Sequence, residues 1–125
     1  MIVDINRDGV CMGDDAMDHR QQIILEDNAT GRDLLEKLLE MHYLPEFTDV
    51  IWFTGSLEAS CIIAWSCKRK KIIAELRDTP LAQIDSKKFW YDFRHLQTKD
   101  LHILSEYIRE TPGIWYDRDF FGGRL

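Results

Sequence analysis

The sequence predicts one α+β domain spanning residues 1–125, a single-layer, mostly antiparallel sheet of about five to seven strands packed with two helices. Three observations carry that expectation. Short segments rich in Ile, Val, Trp and Phe recur with the density and alternation of strands. Only two segments show an apolar helical stripe with a start or stop signal. Between those two helices the strand segments follow one another directly, so few strand–helix–strand crossovers are available and antiparallel pairing is favoured. Length and composition permit it: 125 residues, 45% hydrophobic and 30% charged, suffice to bury a core without disulfide or metal staples.

Along the chain, Met1 to Ile5 reads as a strand, Asn6-Arg7-Asp8-Gly9 as a turn and Val10 to Met12 as the returning strand, because Asp-Gly is a strong hairpin signal. An acidic loop from Gly13 to His19 leads to Gln21 through Glu26, whose Ile23-Ile24-Leu25 run is apolar on both faces and predicts an interior place in the sheet. Thr30, three residues before Asp33, has the form of a capping box with aspartate for the usual glutamate. The helix it opens runs to about Tyr43 and stops before Pro45. Leu34, Leu35, Leu38, Leu39 and His42 fall on its inner face, while Arg32–Glu36 and Asp33–Lys37 form i, i+4 pairs in solvent.

Val50 to Thr54 and Ser60 to Ser66 are core strands joined through Gly55-Ser56-Leu57-Glu58, and the polar turn Cys67-Lys68-Arg69-Lys70 leads to a further strand from Lys71 to Leu76. Asp78 to Ser86 is expected to loop, since Pro80 cannot donate to a ladder. In the next segment Phe89, Tyr91 and Phe93 face one way and Trp90, Asp92 and Arg94 the other, the pattern of a half-exposed strand. A second helix from about Thr98 to Glu110 places Leu101, Leu104 and Ile108 inward and ends at Thr111-Pro112-Gly113. The tail is aromatic.

The layout of Met1 through Pro45, a hairpin leading into a capped helix that ends near a proline, is similar to the β-grasp fold of ubiquitin-like proteins; the likeness covers the first third to half of the chain. It implies a conjugation role for Gly122-Gly123 once trailing residues are removed. A flexible tail end is the plainer reading.

The net charge of −6 is uneven: Asp4, Asp8, Asp14, Asp15, Asp18, Glu26 and Asp27 stand against Arg7 and Arg20, so nearly all of the excess lies in residues 1–27. Such a field repels nucleic-acid phosphates and draws basic partners. The short basic block Lys68-Arg69-Lys70-Lys71 reads as a solvated hairpin tip rather than a nucleic-acid patch. No segment resembles a signal peptide and no apolar run approaches the ~20 residues that span a bilayer, so a cytoplasmic protein without membrane contact is expected. Cys11, Cys61 and Cys67 are odd in number and lack C-x-x-C spacing, and Cys61 reads as a small buried hydrophobe.

Asp4, Asn6, Asp8, Gly9, Val10 and Asp15 nearly spell an EF-hand calcium loop, with alternating oxygen donors, a turning glycine, a backbone carbonyl and a closing carboxylate. Only Met1, Ile2 and Val3 precede it, which leaves no entering helix, and Asp15 is one methylene shorter than the usual glutamate. The hairpin turn is the stronger reading. His19 beside Asp14, Asp15 and Asp18 is a second acidic cluster, better described as a solvated loop than as a divalent-ion site. Nucleophile-elbow, zincin and phosphate-loop motifs are missing, so no cofactor and no catalytic residue are assigned. Because paired carboxylates leave no spacing to read, a small enzyme stays as an alternative beside a divalent-metal-binding protein.

Trp52, Trp65, Trp90 and Trp115 exceed what a core of this size needs, and Trp90 shares its strand face with Asp92 and Arg94. Aromatics beside charges are typical of protein-binding surfaces; packing of Trp90 under the second helix is the alternative. The expected function is a non-enzymatic module that binds a basic protein. In size, charge and lack of a catalytic motif the chain resembles the small acidic immunity proteins with which bacteria neutralise basic nuclease toxins. The resemblance implies that Asp4, Asp8, Asp14, Asp15 and Asp18 steer a toxin domain in and that carboxylates substitute for its substrate phosphates. Glu58, Trp90, Asp92, Asp117 and Asp119 are further contact candidates. The oligomeric state is left open.

Overall fold

The computed structural model describes residues 1–9, 18–55, 61–84, 89–123 and 125. Its α+β architecture is one seven-stranded sheet. The strands are β1 (Ile2–Arg7), β2 (Gln21–Ile24), β3 (Val50–Thr54), β4 (Ile63–Ser66), β5 (Lys71–Glu75), β6 (Trp90–Gln97) and β7 (Trp115–Tyr116). They lie in the order β2-β1-β6-β3-β4-β5-β7. All neighbours pair antiparallel except β1 and β6, which run parallel near one end of the sheet.

Alternation along the strands splits the core in two. On one face Val3, Ile5, Ile23, Trp52, Tyr91 and Phe93 meet Leu34, Leu35 and Leu38 of helix α1 (Gly31–Glu40). On the other, Ile51, Phe53, Ala64 and Ile73 meet Leu101, Leu104 and Ile108 of helix α3 (Leu101–Arg109) and Phe121 of helix α4 (Arg118–Phe121). Each buried valine, leucine, isoleucine or phenylalanine among them contributes roughly 1.5–3 kcal/mol. Gly31 lets α1 approach the sheet: a Cβ there would meet Ile62 Cγ2 at 2.6 Å.

The predicted capping box forms. Thr30 Oγ1 accepts from the Asp33 amide, and Asp33 accepts from the Thr30 amide at 2.9 Å. The helix ends earlier than expected, at Glu40, because His42 takes a left-handed φ of 54° while the Tyr43 amide bonds back to Leu38. His42 is therefore exposed rather than on the inner face. Arg32 does not pair with Glu36 in the manner expected; it reaches Glu75, 43 residues away. Segment 78–86 is not all loop: α2 (Leu81–Ile84) forms directly after Pro80, whose carbonyl accepts from Gln83.

The N-terminal hairpin is corrected. Asn6 and Arg7 lie within β1, paired with Asp92 and Phe93 of β6, so the turn does not start at Asn6. The antiparallel partner of β1 is β2, with Val3 opposite Ile23. The expected return strand, Val10 to Met12, falls outside the described residues. An antiparallel pair of β1 and β2 precedes the capped helix α1 and Pro45. The interior place predicted for that second strand is also corrected, since β2 is the edge of the sheet and Ile24 is 78% exposed. Among the described residues no helix is long and apolar enough to cross a membrane.

Candidate functional site: the open sheet face

Side chains of even-numbered residues on β1 point away from α1, and the parallel pairing with β6 aligns them with its even-numbered side chains. Pairing across three strands sets Gln22, Asp4 and Trp90 in one row, with Ile24 and Ile2 in the row on one side and Asn6 and Asp92 in the row on the other. The helices that cover this face, α3 and α4, sit over β3, β4, β5 and the Leu96 end of β6. At the β2–β1–β6 corner the same face is bare: Ile2 is 59%, Ile24 78% and Trp90 39% exposed. Burying such a patch is the usual source of affinity at an interface.

The polar members are positioned. Gln22 Nε2 donates to Asp4 Oδ1 at 3.0 Å, and Arg94 Nη1 donates to the Tyr107 hydroxyl at 3.4 Å where the open face meets α3. Phe89, immediately before Trp90, has a left-handed φ of 44°, a strained conformation for a bulky residue, and its carbonyl accepts from the Asp4 amide at 2.8 Å. Strain of this kind is kept where surrounding structure over-determines it, and here the Asp4 amide holds the Phe89 carbonyl where the chain enters β6.

The remaining expected site residues divide. Asp8, immediately after β1, accepts from the His95 amide at 3.3 Å and lies 3.5 Å from His95 Nδ1. Asp18 is gripped by Arg20 through both carboxylate oxygens; that hydrogen-bonded pairing lowers its pKa to about 2 and raises that of Arg20. Asp117 and Asp119 belong to the far end of the sheet, where Asp117 caps α4 and pairs with Lys71. Asp14, Asp15, Glu58 and the Val10 of the calcium-like loop fall outside the described residues. Asp4 and Asn6 follow strand spacing, about 6.6 Å apart along one face, whereas calcium ligands converge on one ion at about 2.3–2.6 Å. Among the described residues no three His, Cys, Asp or Glu side chains gather to hold a metal.

Sequence reasoning missed Ile2, Gln22, Ile24 and Asn6 as members of the face. The available signal was the two-residue period itself, which puts Ile2 and Asn6 on the same side as Asp4. Trp90 is not under the second helix, and Trp52 is fully buried with its indole donating to the Pro45 carbonyl at 2.8 Å. Cys61 is buried as expected, and burial pushes its thiol up to about 12. Gly122 closes α4 with φ 61° and donates to the Arg118 carbonyl.

A second polar cluster sits beside a recess of about 270 Å³ lined by Thr30, Arg32, Glu75, Leu76, Arg77 and Asp78. Glu75, 3% exposed, receives Arg32 at 2.7 and 3.1 Å and Arg77 at 3.1 Å; Arg77 in turn stacks 3.9 Å over the Trp115 ring. Both carboxylate oxygens are engaged, so this is a clamp joining α1, β5 and β7 rather than an acid free for chemistry. Comparison with protein-family models, curated proteins and solved structures returns no match. The functional reading rests on geometry.

Proposed function

We propose that this chain is a non-enzymatic protein-binding module that engages a basic protein through the open face of β2, β1 and β6, in the manner of an acidic inhibitor occluding a toxin or nuclease. The observation that supports it is the placement of Trp90 between Asp4 and Asp92 on a sheet corner where Ile2 and Ile24 are bare. A half-exposed tryptophan anchor contributes affinity when its surroundings are desolvated. The flanking carboxylates supply charge complementarity and raise the encounter rate with a cationic surface. Asp8, Asp18, Glu26 and Asp27 extend the negative field around that corner, and the immunity-protein likeness fits a partner of that charge.

The test is a photo-crosslinking residue placed at position 90 of the full chain, with position 115 at the opposite end of the sheet as control. A basic protein is expected to crosslink from position 90 and not from position 115. Against that partner Trp90→Ala is expected to weaken binding by roughly 30-fold or more, the effect of losing a central anchor. Asp4→Lys and Asp92→Lys are expected to slow association and flatten its salt dependence. Unchanged binding in all three variants overturns the proposal.

A further inference from the structure

The outer side of β2 carries a property independent of the open face. Leu25 and Met1 exchange backbone hydrogen bonds at 3.0 and 2.7 Å, which makes them a hydrogen-bonded pair of the β1–β2 ladder. Alternation then directs the backbone groups of Ile23 and Gln21 toward β1 and those of Gln22 and Ile24 away from it. On the inner side, the Tyr43 hydroxyl donates to the His19 carbonyl at 2.6 Å, in step with the same alternation. Among the described residues nothing pairs with the outer side of β2.

Natural edges are blunted by charge, proline, bulges or shortness. The other edge of this sheet, β7, is two residues long and is followed directly by α4. β2 has none of the chemical devices: Gln21-Gln22-Ile23-Ile24 holds no charge, no proline and no glycine, and Ile24 stands 78% exposed beside it. Of the apolar run that makes this segment read as an interior strand, Ile23 and Leu25 pack on the α1 side of the sheet, and Ile24 is left exposed within one copy of the chain.

We infer that β2 pairs antiparallel with β2 of a second copy of this chain, centred on Ile23, to join two sheets into one. The outward groups restrict the register. Only pairings that set Gln22 and Ile24 opposite even-numbered residues form hydrogen bonds, so the two-fold axis passes through a residue and not between residues. An axis through Gln22 would place Glu26 opposite the partner's Asp18, two like charges. An axis through Ile23 places Arg20 opposite the partner's Glu26, and Gln22 opposite the partner's Ile24, on one face. Arg20 already lies along this edge, held by Asp18 with both side chains well exposed, so the second carboxylate completes a bracket around it. Centring on Ile23 thus gives opposite charges, outward hydrogen bonds and a shared apolar residue at once.

A strand this short covers far less than the roughly 1,600 Å² of a standard interface, so the dimer is expected to be reversible, with Kd in the range of tens to hundreds of micromolar. Sedimentation of the full chain from about 5 to about 500 µM is expected to show a monomer–dimer equilibrium. Gln22→Pro removes a backbone N–H that points away from β1 and meets no partner among the described residues, and is expected to leave a folded monomer throughout that range. Arg20→Glu is expected to weaken dimerisation roughly tenfold, and Arg20→Glu with Glu26→Arg to restore it to within about threefold. A wild-type monomer at every concentration overturns the inference. So does a dimer unaffected by Gln22→Pro, or one that Arg20→Glu weakens and the double reversal fails to recover. None of these outcomes depends on the proposed basic partner, whose binding is read separately at position 90.

Discussion

At the β5–β7 end of the sheet, charged side chains hold one another: Glu75 takes Arg32 and Arg77, Lys71 takes Asp117, and Arg77 and Arg69 lie over the rings of Trp115 and Phe120. At the β2–β1 end the arrangement is reversed. Asp4 accepts an amide from Gln22, Arg20 and Asp18 pair in the open, and Ile2 and Ile24 face solvent. A carboxylate enclosed with two guanidinium groups fastens three elements together, whereas a carboxylate beside a bare tryptophan leaves its field available to another molecule. The same residue types therefore fasten elements together at one end and stay open to solvent at the other, where the proposed binding face lies. That contrast is measurable, because substitutions should cost folding free energy at the first end and association at the second.

The largest effect is expected from Phe121→Ala. Phe121 is 2% exposed and meets Tyr116 and Phe120 edge to face, so its removal opens a cavity under α4. Urea denaturation should show a loss of about 3 kcal/mol. Next is Glu75→Ala, expected to cost about 2 kcal/mol, because hydrogen bonds to a charged group are lost while the two half-exposed arginines regain water. Asp92→Ala on the open face should stay within about 0.5 kcal/mol. If it matches Glu75→Ala, the contrast between the two ends breaks.

How much of this was legible depends on the range of the interaction. The Thr30–Asp33 box, the inner stripe of α3 and the alternation of Tyr91 and Phe93 against Trp90 and Asp92 are all set within a few residues, and each was readable. The position of β2 was not. An apolar run on both faces signals an interior strand, but edge or interior is decided by which strands pair, and β1 chooses β6, more than 80 residues on. The Glu75 clamp was hidden for the same reason: Arg32 has a carboxylate four residues away on its own helix, yet Glu75, enclosed and nearly dehydrated, offers it a bidentate partner. Trp90 and Asp92 could be placed on a common face from spacing; that Asp4, Gln22 and Ile24 join them required the sheet order.

A smaller effect sharpens the comparison through pH. The hydrogen bond from Lys71 is the main cause that lowers the Asp117 pKa below its ordinary 3.8. A carboxylate with a depressed folded pKa stabilises the fold above its unfolded pKa and loses that contribution as pH falls through the folded value. Asp117→Asn keeps a side-chain cap for α4 but removes the ion pair, so it should cost about 0.5–1 kcal/mol near pH 7. Unfolding midpoints measured from pH 7 downward should show that the gap between the two proteins is constant to about pH 4 and closes below it. A gap that persists into strong acid would mean that the amide caps α4 less well than the carboxyl and that the loss is not that of the ion pair.

The smallest expected effect on folding is that of Ile24→Lys. Ile24 is so exposed that little apolar contact is lost, and at low protein concentration the unfolding free energy should change by less than about 0.5 kcal/mol. The same substitution puts on β2 the charge that natural edges use against strand addition, and in a dimer centred on Ile23 it would fall beside the partner's Gln22. Its consequence should therefore grow with concentration: at several hundred micromolar the wild type gains stability through association and the variant does not. Equal stability of the two proteins at low concentration, diverging as concentration rises, is the signature of a residue whose partner lies outside its own chain. Parallel curves at every concentration would make Ile24 an ordinary exposed isoleucine and return the β2 end of the sheet to the same footing as the β7 end.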